Sequence, residues 1–284
     1  MSRFKHIAVV GAGLIGGSIV LGVARRQLAP TLTCWSRSDA SRKFLRNLGV
    51  AKVFETAADA VRGADLIVIA TPVDCMAEIC REISPALSPG SIVTDVGSVK
   101  VSILQDATVL PAHVTFIGSH PMAGSEKAGA SHAQENLFQD RLCFLTPTGK
   151  EPSASLEKLQ GFWKDLGSRL FTCSAKQHDA MVAAVSHIPH AAASALILTV
   201  ASLPEFNSNS AGSGLKDTTR IAAGEENLWT GILLANAQPI ATGLAEFEKQ
   251  CRRLRLAIEQ GNAEEVSSFL KAAKKIRQSL DEAK

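Results

Sequence analysis

His120 is the side chain in this sequence best suited to acid–base chemistry. It follows the apolar run 114–117, which is typical of a buried strand, and it precedes Pro121 and the glycine at position 124. A histidine titrates near neutral pH, so at the end of a strand it can accept a proton from an alcohol while a hydride leaves the same carbon. The alternative is a loop histidine that bonds only to the backbone.

Ser98, His187 and His190 are further polar candidates. Ser98 follows a second apolar run, where it can hydrogen-bond His120 or a bound cofactor; taken alone, it is better explained as a helix N-cap. His187 and His190 lie three residues apart on one side of a predicted helix that Pro189 interrupts, so they line either a pocket or the core. They lack further ligands at suitable spacing, and we predict no metal site.

Arg220 ends the charged stretch 216–220. A guanidinium can hold a carboxylate by two parallel hydrogen bonds, which makes Arg220 a candidate substrate clamp. A solvated charge cluster explains the same pattern, and taken alone it is the better explanation. Glu126 likewise is by default a surface charge.

A glycine-rich loop near residue 11 is a candidate binding site for a cofactor. Gly11, Gly13 and Gly16 follow the apolar run 7–10, and a helical pattern over 14–26 begins at Leu14 and Ile15. A strand, a tight glycine turn and a helix N-terminus in this order bind the pyrophosphate of a dinucleotide through backbone N–H groups. A glycine turn that only packs remains the alternative.

The end of the second predicted strand, 31–35, indicates which nucleotide is bound. NAD-binding chains carry an acidic residue at this point, whereas this chain has Ser36, Arg37 and Ser38. A hydroxyl followed by a guanidinium suits a 2′-phosphate, so we predict NADP, with NAD as the other possibility. Asp39 stands one residue later, and we expect it to cap a helix over 40–48.

Apolar runs alternate with helical patterns over the first 174 residues, which predicts a Rossmann-type, doubly wound α/β domain at 1–174. In such a sheet ligands bind at the carboxyl ends of the strands. We therefore expect four loops to meet in one crevice: 11–18, 71–74 with Thr71 and Pro72, 95–100 and 118–127.

From residue 175 onward the pattern is helical, which predicts an all-helical substrate and dimerisation domain at 175–284. Residues 227–259 read as one long helix, and 207–214 as a polar loop. Alanine-rich helices with small apolar faces pack closely, so we expect a homodimer.

Composition narrows the class of protein. The 284 residues are 46% hydrophobic and 20% charged, with a net charge of +3. This charge is small and scattered, which argues against nucleic-acid or membrane partners, and we read no apolar run of membrane-spanning length. Six cysteines without a paired spacing, and no recognisable signal peptide, predict a cytoplasmic protein with free thiols.

Five motifs together resemble the prephenate/arogenate dehydrogenase family of tyrosine biosynthesis. They are 11–18 (GAGLIGGS), 94–100 (TDVGSVK), 118–126 (GSHPMAGSE), 185–190 (VSHIPH) and 216–222 (KDTTRIA). The motifs follow the family's order over nearly the whole chain. The pieces around His120 and around His187 are specific, whereas the glycine loop is not.

The resemblance implies an oxidative decarboxylation of prephenate or arogenate. His120 would accept the proton of the ring 4-hydroxyl as a hydride leaves for the nicotinamide, and Ser98 would orient both groups. The resemblance also implies a substrate site, made of Arg220 on a carboxylate, His187 and His190 in the pocket, Glu126 at its mouth, and Trp229 reaching the partner's site. It further implies a monofunctional enzyme, with prephenate weakly favoured as substrate.

Two other functions stay open at this point. A two-domain β-hydroxyacid dehydrogenase shares the architecture and needs a catalytic lysine, for which Lys176 and Lys216 are available outside any matching motif. A non-catalytic NADP-binding sensor would keep the glycine loop and tolerate loss of His120.

Overall fold

The computed structural model describes residues 3–124 and 129–282. The strands are β1 His6–Val10, β2 Thr31–Trp35, β3 Lys52–Val53, β4 Leu66–Ile69, β5 Ile92–Asp95, β6 Thr115–Phe116, β7 Gly118–Pro121, β8 Leu142–Thr146 and β9 Arg169–Thr172. The helices are α1 Leu14–Arg26, α2 Asp39–Leu48, α3 Ala57–Val61, α4 Met76–Ile83, α5 Val101–Asp106, α6 Ser153–Asp165, α7 Ala175–Val182, α8 Ile188–Ala201, α9 Ser213–Thr219, α10 Glu226–Ala235, α11 Ala237–Glu259 and α12 Ala263–Glu282.

Six parallel strands form the main sheet in the order β3-β2-β1-β4-β5-β6. This is the doubly wound order that the alternating pattern predicts, and it reverses direction between β1 and β4. The fold class is therefore confirmed. The carboxyl ends of β1, β2 and β4 meet at this reversal, which is where such sheets bind ligands.

The sheet is buried on both faces, which explains its unbroken apolar runs. Ile7 and Val9 of β1 belong to one buried cluster, whereas Ala8 and Val10, which point to the opposite face, belong to a second one. All four are fully buried. Since successive side chains of a strand alternate faces, a strand covered on both sides must be apolar at every position.

A second, three-stranded sheet corrects one expectation. β7 pairs antiparallel with β8, and β8 pairs parallel with β9. His120 thus lies inside β7, opposite Phe144, and not in a loop after a strand as the sequence suggested. The ladder to β8 gives the backbone of His120 a fixed position, which a loop would not provide.

The helical region differs from the prediction in two places. The predicted polar loop 207–214 includes the start of α9, and the predicted long helix 227–259 is two helices, α10 and α11, separated at Asn236. A π-helical turn, Ala183–His187, joins α7 to α8. Such turns add one residue to the helix and often occur at functional sites.

The segment Ala175–Ala201 is long and apolar enough to cross a membrane by length and composition, with a mean hydropathy of 1.6. This corrects the expectation that no run reaches that length. The same segment carries His178 and Asp179, which are buried and hydrogen-bonded to residues of the α/β part. These contacts tie α7 to the α/β part, whereas only 28% of the apolar window is buried.

By internal contacts the chain divides into Met1–Ala237 and Gln238–Lys284. Within the first unit, α8 and α10 leave Leu198 and Leu234 more than 70% exposed. Within the second, the Arg253 Nε of α11 donates to Glu265 Oε1 of α12 at 2.6 Å. The functional boundary predicted between residues 174 and 175 stays a prediction.

Candidate functional site

A cavity of about 440 Å³ lies at the carboxyl ends of β1, β2 and β4. Among its lining residues are seven of the predicted cofactor-binding residues: Gly11, Gly13, Ser36, Arg37, Ser38, Thr71 and Pro72. Leu14, Ile15 and Gly16 are not among its lining residues. They are the first residues of α1, whose N-terminal N–H groups have no acceptor within the helix.

The glycines of the loop are required by close contacts. Gly11 has φ +98°, and a Cβ there would lie 2.6 Å from the Ala70 oxygen. A Cβ at Gly16 would overlap the Gly11 carbonyl oxygen. In front of Gly13, by contrast, there is open space. Closely packed backbone with open space before a helix N-terminus fits a pyrophosphate.

The loop after β2 is held by Arg42, whose Nη1 donates to the main-chain oxygens of Ser36 at 2.6 Å and of Arg37 at 3.1 Å. Ser38, and not Asp39 as predicted, caps α2, because its Oγ accepts from the Ser41 N–H at 3.3 Å. Asp39 is the first residue of α2, pairs with Lys43 at 2.8 Å, and does not line the cavity.

A second cavity, of about 510 Å³, brings together five residues from distant parts of the sequence. They are Ser98, His120, His187, Arg220 and Trp229. The predicted residues are divided between the two cavities, those of the nucleotide loops lining the first and these five lining the second. Arg141, which the sequence analysis did not identify, also lines the second cavity. Glu126 lies outside the described residues.

His190 is not among the residues lining this cavity. Its ring stacks on Trp229 with centroids 3.4 Å apart and 10° between the planes, so it supports the indole from behind. Gly224 faces the same pair, and a Cβ there would lie 2.7 Å from Trp229 Cδ1. Trp229 contributes to a cavity of its own chain; its predicted reach into a partner's site stays a prediction.

His120 has a buried partner that the sequence analysis missed. Its Nδ1 lies 2.9 Å from His178 Nε2, and His178 Nδ1 lies 2.7 Å from Asp179 Oδ1. The Asp179 carboxylate also accepts from the N–H groups of Lys100 at 2.7 Å and Val101 at 2.9 Å. The only signal in the sequence was an adjacent His–Asp pair, and nothing local places it beside His120.

These bonds also show that Ser98 is not a helix cap. α5 begins at Val101, and its first N–H groups are bound by Asp179. Ser98 is left to line the cavity. Its loop is held to β7 because the Asp95 carboxylate accepts from the N–H of Gly97 at 2.8 Å and of Ser119 at 3.2 Å.

Asp95 is itself held by a buried ion pair with Lys100. Both side chains are at most 2% exposed, so neither charge is solvated and each depends on the other. The pair therefore supports the loop of Ser98 from beneath.

Burial keeps the histidines of the site neutral. It holds the pKa of His120 well below its ordinary value, and neighbouring His178, Lys100 and His187 act in the same direction. Burial likewise lowers the pKa of His178, and it lowers that of His187 to about 4. At neutral pH His120 is therefore an uncharged imidazole, which is the form that accepts a proton.

His187 is positioned by Asn236, the residue between α10 and α11. Asn236 Nδ2 donates to the Asp179 main-chain oxygen at 2.8 Å and lies 3.1 Å from His187 Nδ1. Within residues 3–124 and 129–282, the buried Nε2 of His187 has no hydrogen-bond partner. The break in the predicted long helix thus serves the site.

Two family models match consecutive parts of the chain. Residues 22–172 match the family model described as "Prephenate dehydrogenase, nucleotide-binding domain". Residues 174–272 match "Prephenate dehydrogenase, dimerization domain", which identifies the helical region as the part through which two copies associate.

Individual relatives cover almost all of the chain. The cyclohexadienyl dehydrogenase of Zymomonas mobilis is 35% identical over 99% of this chain and 97% of its own. Aquifex aeolicus prephenate dehydrogenase, solved with hydroxyphenyl propionate and NAD+, is 31% identical with a TM-score of 0.89, covering 97% of this chain and 98% of its own. Synechocystis arogenate dehydrogenase is 30% identical with a TM-score of 0.82, covering 97% and 99%. With two domain models and relatives of this coverage, the chain belongs to the prephenate dehydrogenase family of pyridine-nucleotide-dependent oxidoreductases.

Proposed function

We propose that the protein oxidises prephenate with loss of carbon dioxide and prefers NADP as the hydride acceptor. The observation that carries the proposal is a neutral, buried His120 in one cavity with two arginines, Arg141 and Arg220. A base and two cations are what a dianionic hydroxy substrate requires.

The first cavity fits the nucleotide. Gly11 and Gly16 allow the backbone to close up, and the α1 N-terminus offers unpaired N–H groups to a pyrophosphate. Arg37 lines the cavity beside Ser36 and Ser38, where a 2′-phosphate would gain a guanidinium and two hydroxyls. When bound, the nicotinamide supplies the hydride acceptor.

In the second cavity the chain's own residues hold the substrate and move its proton. His120 accepts the proton of the ring 4-hydroxyl as the C4–H bond releases its hydride. The C1–carboxylate bond then breaks, its electron pair completes the aromatic ring, and carbon dioxide leaves. We assign to Ser98, which lines the same cavity, the role of orienting the imidazole and the nicotinamide.

The charges of the cavity favour prephenate over arogenate. Both substrates carry two carboxylates, which match Arg141 and Arg220. Arogenate adds an ammonium that requires an anion. The carboxylate of Glu225 lines the cavity but is held as the N-cap of α10, where it accepts from the Leu228 N–H at 2.6 Å and from Asn227 Nδ2 at 2.9 Å.

The location in the cell belongs to the same proposal. All six cysteines are free thiols, and Cys34, Cys80 and Cys143 are buried. Free thiols persist in a reducing compartment, which supports the predicted cytoplasmic location.

Initial rates with prephenate and arogenate, each with NADP and NAD, test the proposal. We expect the highest kcat/KM for prephenate with NADP. A higher kcat/KM for arogenate would refute the substrate assignment. A higher kcat/KM with NAD would refute the cofactor assignment. His120→Asn should lower kcat by about 10²–10⁴-fold and leave nucleotide affinity unchanged. Normal turnover in that variant would exclude His120 as the base.

A further inference from the structure

We propose that Asp179 is a positioning residue that sets the tautomers of both cavity histidines, acting through two separate hydrogen-bond chains. Its carboxylate acts on His120 through His178, and its main-chain carbonyl acts on His187 through Asn236. The inference builds on the base role proposed for His120.

The carboxylate chain has only one possible direction. The Asp179 carboxylate accepts two backbone N–H bonds and a third contact from His178 Nδ1, so that nitrogen carries a proton. The other nitrogen of neutral His178, Nε2, must then accept, and the donor 2.9 Å away is His120 Nδ1–H. A neutral His120 protonated on Nδ1 keeps its lone pair on Nε2, the nitrogen left for the substrate.

The chain from the main-chain carbonyl of Asp179 gives His187 the opposite tautomer. The Asp179 main-chain oxygen can only accept, so the group of Asn236 that faces it is the amide nitrogen. The second hydrogen of that nitrogen points to His187 Nδ1 at 3.1 Å, which makes Nδ1 an acceptor. Neutral His187 therefore carries its proton on Nε2, the buried nitrogen with no partner among the described residues.

One cavity thus holds a proton acceptor on His120 and a proton donor on His187. We assign the hydroxyl proton to the acceptor on His120, and a carboxylate or carbonyl oxygen of the substrate to the donor on His187, whose Nε2 is buried. Reversing either tautomer would give the cavity two acceptors or two donors. When His120 is protonated, the Asp179 carboxylate behind His178 stabilises the added charge, as a carboxylate behind a catalytic histidine does elsewhere.

The ring nitrogens can be observed directly by ¹⁵N NMR of histidine-labelled protein without substrate, at neutral pH. We expect His120 to be protonated on Nδ1 and His187 on Nε2, with assignments from His120→Asn and His187→Gln. The opposite tautomer at either residue would overturn the proposal. Because no substrate is present, this outcome is independent of whether prephenate or arogenate is used.

Two variants should distinguish the effects of the two hydrogen-bond chains. Asp179→Asn replaces the obligatory acceptor by an amide that can donate, so His120 should populate both tautomers while His187 keeps its own. Asn236→Leu should allow His187 to populate both tautomers and should leave the tautomer of His120 unchanged. The same substitution should raise KM more than it lowers kcat. Identical tautomers in wild type and both variants would refute the proposal.

A matched pair at His178 keeps the test valid if Asp179→Asn does not fold, since Asp179 also binds the start of α5. His178→Gln retains an acceptor for His120 Nδ1–H, whereas His178→Leu removes it. We expect kcat of the leucine variant to fall on the order of 10²–10⁴-fold, with unchanged nucleotide affinity, and the glutamine variant to recover most of the loss. Equal kcat in the two variants would mean that His178 only packs.

The acid limb of the kcat/KM profile gives an additional measure. Lys100, Asp95, Asp179, Cys143 and His187 are the other ionisable groups around this pair. All of them remain in both His178 variants, so a difference in midpoint between the glutamine and the leucine variant reports on the bond to His120. An identical midpoint in the two variants, or an identical kcat, would count against the hydrogen-bond chain from Asp179 to His120.

Discussion

Acidification should destabilise this protein through His187, and the structure gives the magnitude. Burial lowers the pKa of His187 to about 4 in the folded state, whereas the unfolded chain has an ordinary value of about 6.5. The unfolded state therefore binds the proton first. The resulting stability is present above pH 6.5 and is lost as the pH falls towards 4.

The size of the effect follows from the two pKa values. At pH 7 both states are mostly neutral and the difference is small. At pH 5 the unfolded side chain is almost fully protonated, whereas the folded one is only about one-tenth protonated, which corresponds to about 2 kcal/mol. That is a considerable fraction of the stability of an ordinary domain.

The assay is urea unfolding at pH 7 and pH 5, for wild type and for His187→Gln, at one fixed protein concentration because the protein associates through its helical region. Glutamine keeps an acceptor for Asn236 but does not titrate. The loss between the two pH values should be about 2 kcal/mol smaller in the variant. His120, His178 and His190, whose pKa values burial also lowers, remain in both proteins. Equal losses in both would refute the assigned burial of a neutral His187.

Three substitutions test the cavities. Gly224→Ala would push Trp229 away from His190 and should raise the substrate KM about tenfold, which corresponds to about 1.4 kcal/mol of binding free energy. Gly231→Ala, in open space on α10, should leave the KM unchanged. Equal effects of the two substitutions would refute the steric argument. Arg37→Ala should lower the NADP-over-NAD affinity ratio by about 10–100-fold, the value of a charge-assisted hydrogen bond, and an unchanged ratio in nucleotide titrations would remove the 2′-phosphate contact. Arg220→Ala should raise KM for prephenate by about 10–100-fold with nucleotide affinity intact, and an unchanged KM would exclude a carboxylate clamp.

Several features could be predicted because neighbouring residues determine them. The predicted bounds of α1 and β2, 14–26 and 31–35, are those of the structure. Gly11 needs a positive φ and Gly16 has no room for a Cβ, and both requirements arise within a few residues. The fold class follows from buried apolar strands alternating with helices, a pattern that is local at every step.

Two of the errors fall where a contact from far along the chain decides the structure. β7 has no apolar alternation, and it becomes a strand only because β8, more than twenty residues later, supplies its ladder. Asn236 lies in a continuous helical pattern, and the helix breaks where its amide binds the Asp179 oxygen, 57 residues away.

The sequence by itself determined the dinucleotide loop, the doubly wound sheet and the choice of His120 as the candidate base, since motifs and periodicity carry that information. Only the tertiary structure showed that His178, Asp179 and Asn236 stand behind the two cavity histidines, and that Arg141 shares the cavity with Arg220. The physical reason is that a tautomer depends on which atom lies about 3 Å away, and that atom belongs to a residue about 50 positions distant along the chain.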